Sequence, residues 1–448
     1  MPLDLDRLTQ DMLAAARRAG AEAADAMAVE GRQISVDVRQ GRLEHAERAE
    51  GIDVGLRVLI GRRQACVSSS DTREATLAAM AERAVAMARE APEDPGAGLA
   101  DPDQLARGAS AEGLDLADPG DEPAPAALED AARRAEAAAL AHPAISQVES
   151  ASAGASRRRV HLAATNGFSG GYARTDHGLS CVAITGTGTS MERDWYGDGR
   201  IHAADLDDPE TVGRIAAERT AARAGARKPP TGAVPVIFHE RVAASLIGHL
   251  LSAANGASVA RGASWLRGRM GETVLPDGLD LIEDPLRPRA SGSRAFDAEG
   301  LPTRASAIVR AGRLERWILD LSSARRLGLE STANAARGPS APPSPSVTNV
   351  ALTQGSASLE DLMAEMGTGL LVTSMIGSTI NPNTGDYSRG ASGMWVEGGE
   401  ARYPVTECTI AGSLPEMLRT IRPANDARAH LSRVVPSLLV EGLTVAGA

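Results

Sequence analysis

The stretch VPVIFHERVAASLIGHLLSAANG, from Val234 to Gly256, constrains the fold more than any other part of this chain. Its apolar run from Val236 to Phe238 is typical of a short buried strand. The apolar period then changes to that of a helix. The positions that share the buried side of this helix are Val242, Ala243, Leu246, Ile247, Leu250, Leu251 and Ala254. We therefore expect a central strand that leads directly into a helix.

A second side of the same helix is small and polar. Ser245, His249, Ser252 and Gly256 fall together there at helical spacing. A helix that only covers a core usually carries charged residues opposite its apolar stripe. The stripe of short polar residues instead predicts a helix that lines a cleft.

The two histidines of this stretch invite comparison with zinc proteases. In such a helix, two histidines lie one turn apart and a glutamate beside the first acts as general base. His239 and His249 are ten residues apart and would point about 80° away from each other on one helix. One turn before His249 stand Ala244 and Ser245, which cannot act as imidazole ligands. Since a catalytic zinc site uses about three protein ligands, we interpret His249 as a hydrogen-bonded histidine.

Two further runs are the most distinctive sequences in the chain. They are TGDYSRGASGMWVEGGEARYPV, from Thr384 to Val405, and NGASVARGASWLRGRMGE, from Asn255 to Glu272. Together with the central strand and helix, they make the chain resemble the TldD/PmbA family, often labelled modulator of DNA gyrase. The resemblance runs through almost the whole length of the chain.

In that family the corresponding helix differs between two subunits. The TldD subunit carries a zinc motif of the form HExxxH, and the same helix is degenerate in the partner subunit, TldE or PmbA. When Gly248 and His249 are set against the end of that motif, Ala244 and Ser245 stand at its first histidine and its glutamate. The chain therefore resembles the TldE/PmbA subunit, and the resemblance implies that it binds no metal or other cofactor itself.

The resemblance also implies a function and a partner. It implies a cytoplasmic heterodimeric metalloprotease whose zinc is bound by a TldD-like catalytic subunit. Its implied substrates are small or unfolded peptides, as in leader-peptide removal or antitoxin turnover. Zinc in such a partner would polarise the scissile carbonyl and activate a water. The implied part of this chain is to close the cleft and to hold extended peptide substrates by strand pairing.

Net charge and cysteine usage bound the possible partners and the location. The net charge of −11 argues against nucleic acid, because such binding depends on Lys and Arg that neutralise phosphates. The gyrase label therefore gains no support.

Cys66, Cys181 and Cys408 are odd in number and widely spaced, which is typical of a reducing compartment. The start MPLDLDRLTQDM is unlike a signal peptide, and no apolar run approaches the roughly 20 residues of a membrane span. We expect a cytoplasmic chain with no nucleic-acid and no membrane partner.

The order of the predicted elements indicates an α+β fold. Residues 1–226 are predicted to form an N-terminal domain of helices and an antiparallel sheet. Residues 233–448 are predicted to form a β-rich C-terminal domain that carries the cleft-lining helix. The boundary lies in GARKPPTG, from Gly225 to Gly232, a proline- and glycine-rich hinge.

Period, caps and turns predict the individual elements. In the N-terminal domain the helices are 5–19, 72–90 after a capping box at 71–74, 126–141, and 209 to about 224. The strands there are 24–29, 33–39, 42–49, 51–61 and 63–69, with further strands between 145 and 194 broken by turns at 166–167 and 170–171. Residues 91–125 form a long surface connection. In the C-terminal domain the strands are 279–282, 303–310, 313–321, 370–376 and 438–445, with a hairpin at 394–405 and helical segments at 264–270 and 359–366.

A glycine-flanked loop carries four candidate site residues. Asn383, Asp386, Tyr387 and Arg389 cluster there. In one interpretation they border the cleft shared with a partner subunit and contact peptide backbone. In the other, the loop is a turn in which Asp386 bonds its own amides.

Ser245 and His249 on the central helix complete the candidate cleft. Their spacing also resembles half of a nucleophile pair. However, no acid is positioned beside them, and an ordinary helix is not the strained turn of a serine hydrolase. Cys408 lies before AHLSRVVPSLLV, which matches the cysteine-bearing C-terminal region of the family's catalytic subunit and contains no cysteine. We therefore interpret Cys408 as a small core residue.

Two alternatives to a metal-free protease subunit stay open. One is a non-enzymatic homodimer that binds peptides or regulates another protein, and isolated chains could also form homodimers. The other is a self-sufficient hydrolase that uses His239, Glu240 and His249 in an unanticipated geometry. These alternatives predict different behaviour for the purified chain.

Overall fold

A six-stranded antiparallel sheet occupies the first half of the chain. Residues 3–108 and 110–447 are the part of the chain that this computed structural model describes. The strands of the sheet are β1 (Ala23–Arg39), β2 (Arg42–Ile60), β3 (Arg63–Ser69), β4 (Ile145–Ala164), β5 (Ser169–Thr185) and β6 (Glu192–Arg200). They lie in the order β3-β2-β1-β4-β5-β6, and neighbours are antiparallel.

Four helices cover one face of this sheet. They are α1 (Leu5–Ala19), α2 (Glu74–Glu90), α3 (Pro125–Leu140) and α4 (Pro209–Ala221). Alternate residues of β1 pack against α1 and α2 near Ala24 and against α3 and α4 near Val38. Successive side chains of a strand point to opposite faces, so Asp25, Met27 and Gly31 lie on the other face. That face is left open for contacts with the second half of the chain.

The second half contains thirteen strands, most of them short, among the residues that the structure describes. They are β7 (Gly232–Phe238), β8 (Leu281–Glu283), β9 (Ser306–Arg310), β10 (Arg313–Leu314), β11 (Ala335–Ala336), β12 (Ser344–Pro345), β13 (Val350–Leu352), β14 (Gly369–Ile380), β15 (Asp386–Glu397), β16 (Glu400–Ser413), β17 (Arg422–Pro423), β18 (Arg433–Val434) and β19 (Leu438–Ala446). The helices of this half are α5 (Glu240–Ala253), α6 (Gly256–Ala260), α7 (Leu321–Leu327), α8 (Leu359–Met366) and α9 (Leu414–Arg419).

Five of these strands close into a ring. β7 pairs with β14, β14 with β15, β15 with β16, β16 with β19, and β19 with β7 again. Val236 and Phe238 share one core cluster with Leu246 and Leu250 of α5, whereas Ile237 packs on the other side with α8. A second sheet, in the order β10-β9-β8-β13-β18, packs beside the ring. The central strand and helix predicted from the sequence are thus confirmed, and they lie in the main core of this half.

The predicted α+β class and the β-rich second half are confirmed. Within the described ranges, no helix has both the length and the apolar character needed to cross a membrane. Residues 225–231 connect the first sheet to the ring. The predicted domain limits, 1–226 and 233–448, stay a prediction.

Several strands predicted as separate are continuous. Segments 24–29 and 33–39 belong to β1, and segments 42–49 and 51–61 belong to β2. Gly31, which lies between the first two segments, pairs in regular register with Gly51, the first residue of the predicted strand 51–61, so neither strand breaks there. The turn predicted at Gly170 and Gly171 is also wrong, because both residues lie inside β5. The turn at 166–167 is confirmed.

The predicted helix positions agree with the structure more closely than the predicted helix caps do. α1 spans the predicted residues and α3 differs by one residue at each end. α2 begins at Glu74, and Asp71 accepts hydrogen bonds from the Arg73 amide and the Thr76 hydroxyl in place of the predicted capping box. α4 ends at Ala221, three residues earlier than predicted.

Two predictions in the second half are wrong. Residues 264–270 form turns, because Gly262, Gly268 and Gly271 have positive φ angles of +76°, +77° and +78° that an α-helix does not use. The predicted strand 313–321 shortens to the two residues of β10, and α7 begins at Leu321 behind a capping box of Asp320 that was not predicted. By contrast, α8, β14, β19 and the hairpin around residues 398–399 are confirmed.

A buried ion cluster joins the open face of the first sheet to the second half. Asp25 of β1 accepts a hydrogen bond from Arg57 Nε at 2.6 Å, and it also contacts the Arg337 guanidinium. The side chains of Asp25 and Arg57 are each 4% exposed, and that of Arg337 is fully buried. Pro339 lies against Gly55 of β2, where an added Cβ would come within 2.1 Å of the Pro339 carbonyl oxygen. The two halves are therefore docked by charge and by close backbone contact.

Candidate functional site

The polar side of α5 meets the start of β15. The ring centroids of His249 and Tyr387 are 5.7 Å apart with the rings at 72°, and those of Phe238 and Tyr387 are 6.5 Å apart. The Tyr387 hydroxyl lies 3.4 Å from the Met375 sulfur on β14. Burial raises the pKa of Tyr387 to about 12, although the Arg389 charge acts against this rise. Tyr387 is therefore a protonated phenol that holds the His249 ring from one side.

His249 is a buried histidine without a polar partner at one nitrogen. Its Nε2 atom is buried and has no hydrogen-bond partner among the described residues. Burial lowers the pKa of His249, and the nearby Arg389 charge lowers it further. The imidazole is thus neutral at neutral pH. The sequence predicted a hydrogen-bonded histidine, but no hydrogen bond joins the His249 ring to another described residue.

Arg389 is held by an irregularity of β14. The β14–β15 register shifts between Ile376 and Thr379, and the Arg389 Nε donates to the Gly377 carbonyl at 2.7 Å. Gly377 has no partner on β15, so its carbonyl is available to accept this hydrogen bond. The guanidinium is positioned beside the His249 and Tyr387 pair.

The predicted four-residue cluster divides between two places. Asp386, Tyr387 and Arg389 belong to β15 and not to a loop, which corrects the sequence prediction. The exposed Asp386 accepts a hydrogen bond from the Thr384 hydroxyl at 2.6 Å. Asn383 is exposed in the preceding turn, where its backbone N–H donates to the Asn381 side-chain oxygen. Only Tyr387 and Arg389 lie against α5, since alternate residues of a strand face opposite sides.

Ser245 is engaged with its own helix. Its hydroxyl donates to the Val242 carbonyl at 2.7 Å, and Ser252 likewise donates to the Gly248 carbonyl at 2.9 Å. Hydroxyls bound to backbone carbonyls in this way are typical of serines inside helices. No hydrogen bond joins Ser245 to His249 among the described residues, so the pair has no nucleophile geometry.

His239, Glu240 and His249 do not converge. His239 caps the start of α5 and accepts from the Arg241 amide at 3.3 Å. Glu240 accepts from Arg428 Nε at 2.8 Å. His249 lies ten residues after His239, which corresponds to about 15 Å of rise along the helix. A hydrolase that uses these three side chains together would need a different fold.

The donor set of α5 does not fit zinc. Within residues 3–108 and 110–447, no group of three or more His, Cys, Asp or Glu side chains is placed to hold a metal ion. On α5, Ala244 and Ser245 offer neither an imidazole nor a carboxylate beside His249. Burial raises the pKa of Cys408 to about 11, and its thiol donates to the Ala391 carbonyl at 3.2 Å, so it is not a thiolate ligand. Cys408 is buried in the core, as its sequence position suggested.

A free strand edge lies beside this site, and the sequence analysis did not identify it. β14 pairs with β15 along its length but with β7 only from Leu370 to Val372. From Thr373 to Ile380 its second edge has no strand neighbour among the described residues. The Ile376 side chain is 77% exposed there. The sequence showed a buried strand at this place but carried no signal that half of it would be an edge.

Acid is expected to destabilise the fold partly through His249. Its lowered pKa means that the unfolded chain, with a histidine pKa of about 6.5, binds this proton more readily. Stability falls with falling pH wherever the unfolded state binds more protons. The contribution of His249 is therefore present above about pH 6.5 and is lost as the pH drops from there toward its folded pKa. His249→Phe keeps the ring contact with Tyr387 and should flatten the urea-unfolding stability between about pH 7 and pH 5.

The matched control for this prediction is His45, which is exposed on β2. His45→Phe makes the same replacement at an exposed position and reports any effect of the substituted ring itself. An equal slope in the His249→Phe chain would show that His249 does not titrate in this way.

Three family models match consecutive parts of the chain. The PmbA/TldA metallopeptidase domain 1 matches residues 24–88, the central domain matches 118–224, and the C-terminal domain matches 231–447. The Metalloprotease PmbA of Escherichia coli O157:H7 is 38% identical over 416 residues, which is 92% of this chain and 90% of that protein. A Metalloprotease PmbA homolog of Haemophilus influenzae is 34% identical over 92% of this chain and 90% of its own length.

Solved structures agree at the level of the fold. A candidate modulator of DNA gyrase from Bacteroides thetaiotaomicron superimposes with a TM-score of 0.90 at 24% identity, covering 99% of this chain and 98% of that one. TldE from Thermococcus kodakarensis superimposes with a TM-score of 0.84 at 21% identity, covering 98% and 99%. These structures show the fold, and the three family models define its class as metallopeptidase-like.

Within that class, the chain belongs to the PmbA/TldD metallopeptidase family. The resemblance identified from the sequence motifs is confirmed.

Proposed function

We propose that this chain is the TldE/PmbA-like subunit of a cytoplasmic zinc metalloprotease, and that it shapes the substrate cleft of a TldD-like catalytic subunit without binding zinc. The free Cys66, Cys181 and Cys408 fit a reducing cytoplasm. The substrates are small or unfolded peptides, as in the processing of leader peptides or antitoxins. The particular peptides and the partner are expectations from the family resemblance.

The observation that carries the proposal is the donor set of α5. A peptidase zinc needs about three protein ligands and an open position for water. Of the helix positions that would supply them, only His249 carries a ligand type, and its neighbours one turn earlier are Ala244 and Ser245. Tyr387 and Arg389 pack against His249, and the Arg389 charge disfavours a second cation nearby. The chemistry of hydrolysis therefore falls to residues of the partner.

The free edge of β14 supports a role in holding substrate. An unpaired strand edge offers backbone N–H and C=O groups in the spacing that an extended peptide matches. This edge belongs to a strand that contacts α5, and the exposed Ile376 offers apolar contact to a peptide side chain. A peptide laid along Thr373 to Ile380 would be presented to an active site that a second subunit completes.

The E. coli relative is called a metalloprotease, and two outcomes are compatible with that name. In the first, the activity belongs to the complex, and this type of subunit contributes the cleft. In the second, the chain is a non-enzymatic peptide-binding or regulatory homodimer. Joint purification with a TldD-like chain separates these outcomes.

The test is to express this chain with a TldD-like chain that has an intact HExxxH motif. We expect the two chains to purify as a complex that contains zinc and cleaves an unfolded peptide. This chain purified alone should be inactive. His249→Ala in the complex should leave the zinc content unchanged. Failure of the two chains to associate, with a stable homodimer in its place, would favour the regulatory alternative.

A substitution on the β14 edge tests the substrate role. Ile376→Lys should lower kcat/KM of the complex by about tenfold, because it places a charge where peptide side chains pack. Leu43, which is 47% exposed on β2, provides the matched control, and Leu43→Lys should have no effect. Equal activities of the two variants would contradict peptide binding at this edge.

A further inference from the structure

Strand β2 of the first sheet is unpaired along more than half of one side. It pairs with β1 along its whole length, but it pairs with β3 only from Val54 to Ile60. From Arg42 to Asp53 its second side has no strand neighbour among the described residues. Every residue from Gly41 to Gly51 is exposed. This side of β2 therefore presents an open row of backbone N–H and C=O groups.

Two features limit the regular part of this row. At one end Glu44 has no partner on β1, so the strand carries a β-bulge there. At the other end β3 begins to pair at Val54. Between these limits lie the nine residues from His45 to Asp53, which all pair with β1 in regular register. We call these nine residues the β2 edge; Ala49 is its midpoint.

A second copy of the same edge can use the whole length of the β2 edge in one way only. Two identical edges pair antiparallel about a two-fold axis perpendicular to the sheet, as in a symmetric dimer. An axis at Ala49 places His45 opposite Asp53 of the second copy, so that all nine positions are paired. The bulge and β3 thus define the register of a self-pairing before side chains are considered.

The charge pattern of the β2 edge independently favours the same register. The facing pairs would be His45 with Asp53, Ala46 with Ile52, Glu47 with Gly51, Arg48 with Glu50, and Ala49 with itself. Arg48 and Glu50 meet twice, once on each side of the axis. No two like charges face each other. Opposite charges that face each other across an antiparallel pair stabilise it, and like charges destabilise it.

The same rule disfavours the neighbouring registers. An axis shifted to Arg48 would place this arginine opposite its own copy. An axis shifted to Glu50 would place this glutamate opposite its own copy and Glu47 opposite Asp53. An axis between two residues would set side chains of opposite faces against each other, which a continuous sheet does not allow. Only the axis at Ala49 satisfies both geometry and charge.

The contacts that Arg48 makes within its own chain are compatible with this pairing. Arg48 donates to Glu50 at 2.8 Å and also contacts Glu122, and the side chains of Arg48 and Glu50 are about half exposed. Exposed ion pairs of this kind contribute about 0–1 kcal/mol, so they exchange partners at little cost. Arg48 and Glu50 lie on the same face of β2. In a dimer the four side chains can therefore form one network of alternating charge.

We infer that two copies of this chain associate through their β2 edges, antiparallel about a two-fold axis at Ala49, which joins the six-stranded sheets of both copies into one. Charged residues usually protect a sheet edge against such pairing, but here they are arranged to attract a second copy. The inference goes beyond the proposed function. The β2 edge contains no residue of α5 or β14, so the pairing uses neither the polar side of α5 nor the free edge of β14.

Cysteine cross-linking of the full-length chain tests the register. Ala49→Cys places two thiols face to face at the axis, where facing Cα atoms are about 4.5–5.5 Å apart and a disulfide can form. We expect mild oxidation to give a covalent dimer. Ala46→Cys on the same exposed edge is the matched control, because its own copy would lie six residues along the strands, about 20 Å away. The unchanged chain, with its three cysteines, reports the background.

A charge exchange tests the pairing of Arg48 with Glu50. One strand edge buries little surface, so we expect a weak dimer with a Kd on the order of 10 µM, measured by sedimentation velocity. Arg48→Glu and Glu50→Arg should each weaken the dimer by about tenfold or more, since each sets like charges opposite one another. An equimolar mixture of these two variants should associate again, because every charge then faces its opposite in the other chain. Arg42→Glu, on the same strand beyond the bulge, is the control and should associate as the unchanged chain does.

Three results would overturn the inference. They are a chain that stays monomeric at about 200 µM, equal cross-linking of the Ala49→Cys and Ala46→Cys variants, and a mixture of the two charge variants that associates no better than either alone. Because these assays use neither a partner chain nor zinc nor a peptide, failure of the inference is separate from failure of the proposed protease role.

Discussion

Replacing Asp25 with alanine is expected to lower the free energy of unfolding by about 3–5 kcal/mol, because it leaves two buried guanidinium groups without their carboxylate. Arg57 and Arg337 both pair with Asp25, and none of the three side chains is more than 4% exposed. Breaking such a cluster costs far more than a surface ion pair, since the remaining charges cannot regain water. Chemical denaturation followed by circular dichroism measures the effect.

The same cluster predicts a pH dependence. Burial opposes ionisation of Asp25, but Arg337 and Arg57 outweigh it and hold the pKa of Asp25 below its usual value. Its contribution is therefore present above the unfolded-state pKa of about 3.9 and is lost as the pH falls through the lower folded value. Glu218→Ala, which removes an exposed pair with Arg214 on α4, is the control and should change stability little. Equal stabilities of the two variants would contradict the account of the cluster.

Gly393→Ala should disrupt the ring of strands, with a loss of about 3 kcal/mol or a failure to fold. An added Cβ at Gly393 of β15 would come within 1.8 Å of the Leu371 carbonyl oxygen on β14, and backbone cannot yield as a side chain can. The position lies where the pairing of β14 with β15 shifts register. Soluble yield and thermal unfolding report the effect.

Gly232 offers a matched substitution in the same ring. It lies in β7, and an added Cβ there would meet nothing within 4 Å. Gly232→Ala should fold and unfold as the unchanged chain does. If Gly393→Ala were equally harmless, the close approach of β14 and β15 would be wrong.

Elements set by local pattern were predictable, and long-range contacts were not. The strand and helix from Val234 to Gly256 could be predicted because period and apolarity are local properties of the chain. The strands β1 and β2 were predicted in pieces, since a glycine reads as a break unless its partner across the ladder is known. Asp25 and Arg337 are 312 residues apart, and no local pattern relates them.

The candidate site shows the same division. Ser245 and His249 were placed correctly on one side of a helix by spacing alone. That Tyr387 and Arg389 pack against His249, while Asp386 faces away, depends on the side of β15 that each residue takes and on a register shift in β14. The free edge of β14 follows from which strands end early, and this is a property of the assembled sheet.

The most direct test of the central claim is the metal content of this chain purified alone. Dialysis against zinc followed by elemental analysis should find no stoichiometric zinc, since α5 provides one ligand type where a catalytic site uses about three. The same sample should cleave no unfolded peptide. One bound zinc per chain, lost on His249→Ala and accompanied by peptide cleavage, would contradict the account.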